Sequence, residues 1–300
     1  MAARELDDVT PRIAETAAGP VEYVDLGGGP PIVFIHGSPG GCDQGALMTQ
    51  FMTSNHRVVS ISRPGYLRTP LTEQNRSPQQ QAALVAALLS ELEIERFALM
   101  CWSGGGPVTY TLAARYPERV TAVVAVAAVS TEFNPAKTIR GRLELGEEKM
   151  LFGRLGTWFA TTLAERAPAT AITTLLSGEG DLTRSQAKQL TAEIMSDDIQ
   201  RAFATALFDT VTGPRKPGFE NDFEQFKHLD LPLAAVSVPA LLVHSRTDAD
   251  VPYAQSVHAA GAIPNSQLIT VDVGTHLSAW LGPDAADIQS AIIEHFSARG

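Results

Sequence analysis

Four runs of β-branched and other apolar residues, at 32–35, 57–61, 97–100 and 120–129, recur through the first part of the chain. Ile32-Val33-Phe34-Ile35 has no polar position at all. A strand of that kind is covered on both faces, as in a parallel sheet packed between helices. Helix signals separate the later runs. Ser77 stands as an N-cap, Pro78 occupies the first turn and Gln80 can close a capping box ahead of an alanine and leucine run to Leu92. Residues 107–115 form a second helical run, so the series reads β-α-β-α-β. That order predicts a mostly parallel, doubly wound sheet of the α/β class. Residues 12–17 and 21–25 read as two short antiparallel strands ahead of it, closed by the glycines at 27 to 29.

Between 131 and 232 the strand runs stop and helical segments take over, at 147–164, after Thr183 with Gln186 completing a capping box, and at 198–210. An amphipathic set, Phe223, Phe226 and Leu229, closes the region. Strand signals return at 240–244 and 268–273, with a helix from Tyr253 and a last helix carrying Ile288, Ile292 and Phe296 on one face. The division expected is a core domain of residues 1–130 and 233–300, with residues 131–232 inserted as a helical cap. With 300 residues, 44% of them hydrophobic, the chain can bury one large α/β core carrying such an insertion. A formal net charge of -10 argues against nucleic acid or an anionic membrane as partner, since both repel an acidic surface. No apolar run approaches the roughly eighteen residues of a membrane span, and residues 1–8 lack the apolar core of a signal peptide. A cytoplasmic location is the expectation. Cys42 and Cys101 are the only cysteines and form no CxxC spacing, so neither a disulfide framework nor a metal or other cofactor is expected.

The third strand run leads into Cys101-Trp102-Ser103-Gly104-Gly105-Gly106 and then into a helical run. Strand, glycine-rich turn and helix together form the setting in which a serine is exposed as a nucleophile. A serine hydroxyl needs an imidazole base and a carboxylate to orient it. Asp248 follows the strand at 240–244, and His276 follows the strand at 268–273. In open α/β sheets sites form beyond the carboxyl ends of strands, so Ser103, Asp248 and His276 are expected to converge. Asp250 and Glu132 are rival carboxylates, the first two residues on and the second just after the strand at 120–129.

Four separated motifs carry a resemblance: His36-Gly37-Ser38-Pro39-Gly40, Arg63-Pro64-Gly65-Tyr66, the turn at Ser103, and the Asp248 and His276 loops. With them the chain resembles a capped serine hydrolase of the α/β-hydrolase superfamily, esterase- and lipase-like, from about residue 20 onward. The order Ser, Asp, His matches that family. The resemblance implies that the backbone N–H groups of Ser38 and Gly104 form the oxyanion hole. Proline iminopeptidases share a similar His-Gly-x-Pro-Gly loop. Serine rather than aspartate at position 103 argues against the haloalkane dehalogenase and epoxide hydrolase branches. Cys101 and Leu67 depart from the family, standing where relatives usually carry glycine.

The activity expected is hydrolysis of a small apolar ester, thioester, lactone or amide through an acyl-enzyme on Ser103. The partner expected is therefore a small-molecule substrate. Two rivals keep the same residues: cleavage of an activated carbon–carbon bond, and perhydrolysis of a carboxylic acid. A third, of another class, is a small-molecule receptor that retains the site without turnover. Trp102 and Trp158 are candidate pocket residues, and Phe152, Phe159, Phe203 and Phe208 are further apolar side chains of the insertion. His36 reads as a structural tie of its loop, whereas His56, His228, His244, His258 and His295 show no partner pattern.

Overall fold

The computed structural model describes residues 10–134, 162 and 166–298. Its strands are β1 (Arg12–Thr16), β2 (Gly19–Gly27), β3 (Pro31–Ile35), β4 (Arg57–Ile61), β5 (Phe97–Trp102), β6 (Val120–Val126), β7 (Ala240–Ser245) and β8 (Ser266–Val271). They form one sheet in the order β1-β2-β4-β3-β5-β6-β7-β8. The β1–β2 and β2–β4 pairs are antiparallel, and all pairs from β4 through β3 to β8 are parallel.

The unbroken apolar runs are explained by two cores, one on each face. Val33, Ile35, Leu99, Cys101, Val123 and Ala125 point into one core. Their neighbours Ile32, Phe34, Met100, Trp102, Val124 and Val126 point into the other. Alternation in a strand sends successive side chains to opposite faces, and helices cover both faces here. Helices α2 (Pro78–Glu91) and α3 (Gly106–Arg115) contribute Leu84, Leu88, Val108 and Leu112 to the first core. Helix α1 (Cys42–Met48) contributes Leu47 and Met48 to the second. The capping box of Ser77 and Gln80 starts α2, with both reciprocal hydrogen bonds made.

Between β6 and β7 the main described elements are the helices α4 (Pro168–Glu179), α5 (Arg184–Ser196), α6 (Asp198–Leu207) and α7 (Lys216–Phe226). Thr183 and Gln186 form the capping box of α5. Helices α8 (Ala254–Ala262) and α9 (Ala285–Ser297) follow β7 and β8, and Ile288, Ile292 and Phe296 of α9 are buried in the second core.

Two expectations need correction, and one helix is new. β6 ends at Val126 rather than at 129, because Ala127 turns the chain with φ 47°. β8 begins and ends two residues earlier than the apolar pattern suggested. Helix α1, short and uncapped by any side chain, gave no clear sequence signal. The helical segment read at 147–164, with Phe152, Trp158 and Phe159, lies outside the described residues. No helix among the described residues is long and apolar enough to cross a membrane.

Candidate active site

β5 delivers Ser103 into a tight turn. Its φ is 52°, in the left-handed region that costs a side-chain-bearing residue about 1–2 kcal/mol. Ser103 begins a 3-10 turn, Ser103–Gly105, that runs straight into α3. The next residues have no room for side chains. A Cβ on Gly105 would sit 2.4 Å from the carbonyl oxygen of Ile35, and one on Gly104 would sit 2.2 Å from Ser38 Oγ. The second of these approaches sets Ser38 directly opposite Gly104. Cys101, in place of glycine, turns its side chain into the core on the α3 side and is fully buried. Burial pushes both the Cys101 and the Cys42 thiols up to about 12, so neither is a thiolate nucleophile at neutral pH.

Asp248 and His276 meet beyond the ends of β7 and β8. The Asp248 Oδ2 to His276 Nδ1 distance is 2.6 Å, with both side chains buried. Asp248 Oδ1 accepts the backbone N–H groups of Asp250 and Val251 at 2.8 and 3.0 Å. His244, at the end of β7, approaches the same carboxylate, with Nε2 3.0 Å from Oδ2. Its Nδ1 lies 2.7 Å from Ser256 Oγ. Burial opposes the charge on Asp248, but the attraction of His276 and the hydrogen bonds from both histidines outweigh it. The net effect holds the carboxyl well below its usual range. Glu132 is exposed, and Asp250 meets Asp248 through its backbone N–H.

Trp102 joins this pair to the serine turn. Its ring lies 4.9 Å from that of His276, centroid to centroid, and its indole N–H donates to the His276 carbonyl at 3.1 Å. It also packs edge-on against Trp280, so it is a core residue that carries His276 on its face.

The loop after β3 is held by side chains from three parts of the chain. His36 Nε2 accepts the backbone N–H of Arg63, which leaves Nδ1 to donate to the Gly37 carbonyl. Burial, then the charge of Arg63, lowers the His36 pKa well below 6.5, so the ring is neutral. The Gly37 N–H donates to Gln44 Oε1 at 2.9 Å. Arg63, itself buried, donates to the carbonyls of His36 and Gly37 and to Ser38 Oγ. Its remaining bonds go to Asp222 of α7, at 2.7 and 2.6 Å. Tyr66 O–H and Ser38 Oγ also donate to Asp222 Oδ2.

The helical insertion reaches the opposite side of the site through the turn after α4. The Glu179 carbonyl accepts the N–H of His276 at 2.9 Å and that of Ala249 at 3.3 Å. Gly180 forms a β-bridge with Asp248, and Asp181 N–H donates to the Thr247 carbonyl. A Cβ on Gly180 would lie 2.8 Å from Thr275 Cγ2 and 2.9 Å from the Gly274 carbonyl.

Ser38, Ser103, Gly104, Asp248 and His276 thus sit on adjoining turns and loops beyond the carboxyl ends of the strands, with Trp102 the last residue of β5, while Trp158 lies outside the described residues. Two residues at the site escaped the sequence reading. His244 read as partnerless, yet it bonds to the acid. Asp222 stands in a mixed run, Glu220-Asn221-Asp222-Phe223, with no local motif. It lies on one helical face with Phe219 and Phe226, which is the signal that an acid there must have a buried partner. Among the described residues no group of histidine, cysteine and acidic side chains is arranged to hold a metal ion.

The fold and the sequence have relatives. A solved alpha/beta hydrolase fold protein from Nakamurella multipartita superposes with a TM-score of 0.89 at 36% identity, covering 96% of this chain and 99% of that one. The enol-lactonase from Burkholderia xenovorans LB400 shares the fold at a TM-score of 0.68, with 16% identity over 95% of this chain and 100% of its own. By sequence, the uncharacterized hydrolase YcgS of Bacillus subtilis (strain 168) is 28% identical over 92% of this chain and 94% of its own length. The family described as alpha/beta hydrolase fold matches residues 30–283. With that match over most of its length, the chain belongs to the alpha/beta hydrolase fold family and is an enzyme of the hydrolase class.

Proposed function

We propose that the protein is a serine hydrolase that opens a small apolar ester, thioester, lactone or amide through an acyl-enzyme on Ser103. The observation that carries this reading is the buried Asp248–His276 pair at 2.6 Å, joined through Trp102 to the strained serine turn. With Nδ1–H donated to Asp248, the His276 ring keeps Nε2 as its basic nitrogen. Nε2 takes the Ser103 proton as Oγ bonds to the substrate carbonyl carbon. The tetrahedral intermediate collapses when the bond to the leaving group breaks, and His276 returns the proton to that group. Water, deprotonated by the same nitrogen, then attacks the acyl carbon and releases the acid and the Ser103 hydroxyl.

The oxyanion is assigned to the backbone N–H groups of Ser38 and Gly104. Ser38 faces Gly104, and its own N–H donates to no acceptor among the described residues. Gly104 lies in the first turn of a helix, where N–H groups lack intrahelical partners and favour negative charge. Each such donor is worth about 3–4 kcal/mol in the transition state. In this reading residues 131–232 are the cap over a core of 1–130 and 233–300, and the apolar side chains of the cap select the acyl group.

The test is a panel of p-nitrophenyl esters of graded chain length with wild type and Ser103→Ala. The variant is expected to lose at least about 10³-fold in rate. An undiminished rate in Ser103→Ala overturns the reading.

A further inference from the structure

Asp222 belongs to helix α7, yet its carboxylate is 2% exposed and receives four hydrogen bonds, from Ser38, Tyr66 and both terminal nitrogens of Arg63. Two of those partners act on the loop after β3. Arg63 holds the carbonyls of His36 and Gly37, and Ser38 is the residue whose backbone N–H is assigned to the oxyanion. The Ser38 hydroxyl is fully committed. It donates to Asp222 at 2.5 Å and accepts from Arg63 at 3.0 Å, so it has no proton left to offer a substrate. Only its backbone N–H can serve, and the side chain acts as a tether.

The charges are arranged to keep this tether formed. Burial opposes the Arg63 charge, but Asp222 more than compensates and the guanidinium stays protonated. Burial first, and then Asp222, raises the Tyr66 pKa well above 10, so its hydroxyl remains a donor. An uncharged acceptor would not satisfy four donors, three of which converge on one oxygen.

We propose that Asp222 is a positioning residue for the oxyanion hole: through Ser38 Oγ and Arg63 it fixes the Ser38 backbone N–H opposite Gly104, and so couples helix α7 to transition-state stabilisation. This rests on the serine-hydrolase reading. It assigns to the insertion a part in catalysis in addition to any contact with substrate.

Ser38→Ala keeps the backbone N–H and removes the tether. Asp222→Asn places an amide against the guanidinium, and Tyr66→Phe removes one bond to the carboxylate. Three measurements separate positioning from simple destabilisation: the rate of fluorophosphonate labelling at Ser103, the affinity for phenylboronic acid, and the melting temperature. Displacement of a catalytic group by about 1 Å costs on the order of 100-fold, so labelling by folded Ser38→Ala is expected to slow by about 10- to 100-fold. Boronate affinity is expected to fall by a similar factor, since it reports the same tetrahedral geometry. The Ser38→Ala/Asp222→Asn double variant is expected to be no worse than the poorer single variant, because both cut one connection.

Ser38→Ala and Tyr66→Phe are small changes, so the experiment does not depend on Asp222→Asn folding. Wild-type labelling rate and boronate affinity in both, alongside normal labelling of Ser103 in wild type, overturn this inference and leave the hydrolase reading intact. Losses in Asp222→Asn that only follow its unfolded fraction, with Ser38→Ala unaffected, overturn it as well. A wild-type protein that does not label at Ser103 removes the hydrolase reading and this inference together.

Discussion

His36 shows how a single residue ties the fold to pH. It is fully buried, donates from Nδ1 to the Gly37 carbonyl and accepts from Arg63, and its pKa in the fold lies well below 6.5. Below about pH 6.5 the unfolded chain takes up a proton at this position and the folded chain does not. The stability His36 contributes is therefore present above that pH and is lost as the pH falls, with a slope of up to ~1.4 kcal/mol per pH unit for one proton. Urea unfolding at about pH 7 and about pH 5 is expected to show this loss in wild type and a smaller one in His36→Gln. An equal loss in both would place the titration elsewhere. The same residue scale explains what the sequence could disclose. Ser103, Asp248 and His276 each follow a strand run, so local pattern was enough to single them out as candidates. Asp222 meets Arg63 across 159 positions of sequence, and a pairing of that kind has no local signature beyond an acid on an apolar helix face.

Among the elements, the turn after α4 gathers the acid and histidine loops. Glu179 offers one carbonyl to the N–H groups of His276 and Ala249, and Gly180 lies so close to Thr275 and Gly274 that a methyl group does not fit. Gly180→Ala is expected to cost ~1–3 kcal/mol of stability by overpacking. If the loops shift by as much as ~1 Å to make room, turnover is expected to fall on the order of 100-fold. Ester hydrolysis and thermal melting of the variant check both parts, and wild-type values in both would mean that the turn yields without moving His276. Helical character in this part of the insertion was legible from capping boxes and composition, as at Thr183 and Gln186. Its contacts with the site were not, because they run through backbone carbonyls that any sequence supplies.

For the whole molecule, the sheet order explains why distant motifs become neighbours. β3, β5, β6, β7 and β8 are consecutive and parallel, so the loops after β3, β5, β7 and β8 leave at the same, carboxyl, end of the sheet. The parallel character of the sheet followed from apolar runs buried on both faces, since Val33 and Phe34 or Leu99 and Met100 enter opposite cores. The strand order did not follow, because pairing depends on crossovers that the apolar pattern leaves open. The helical part between β6 and β7 contacts these loops on two sides, through Glu179 at His276 and Asp222 at Ser38. In the proposed reading, this arrangement ties the geometry of the site to those helices as well as to the sheet.

In the proposed reading Ser103 is a nucleophile activated by His276 and Asp248. This claim is tested most directly by intact-mass and peptide mass spectrometry after treatment with a fluorophosphonate, on wild type, Ser103→Ala and His276→Gln. The expected result is one stoichiometric phosphonyl adduct on Ser103 in wild type, none in Ser103→Ala, and labelling slowed by about 10³-fold or more in His276→Gln. An adduct on another residue, or equal labelling with and without His276, would contradict the claim.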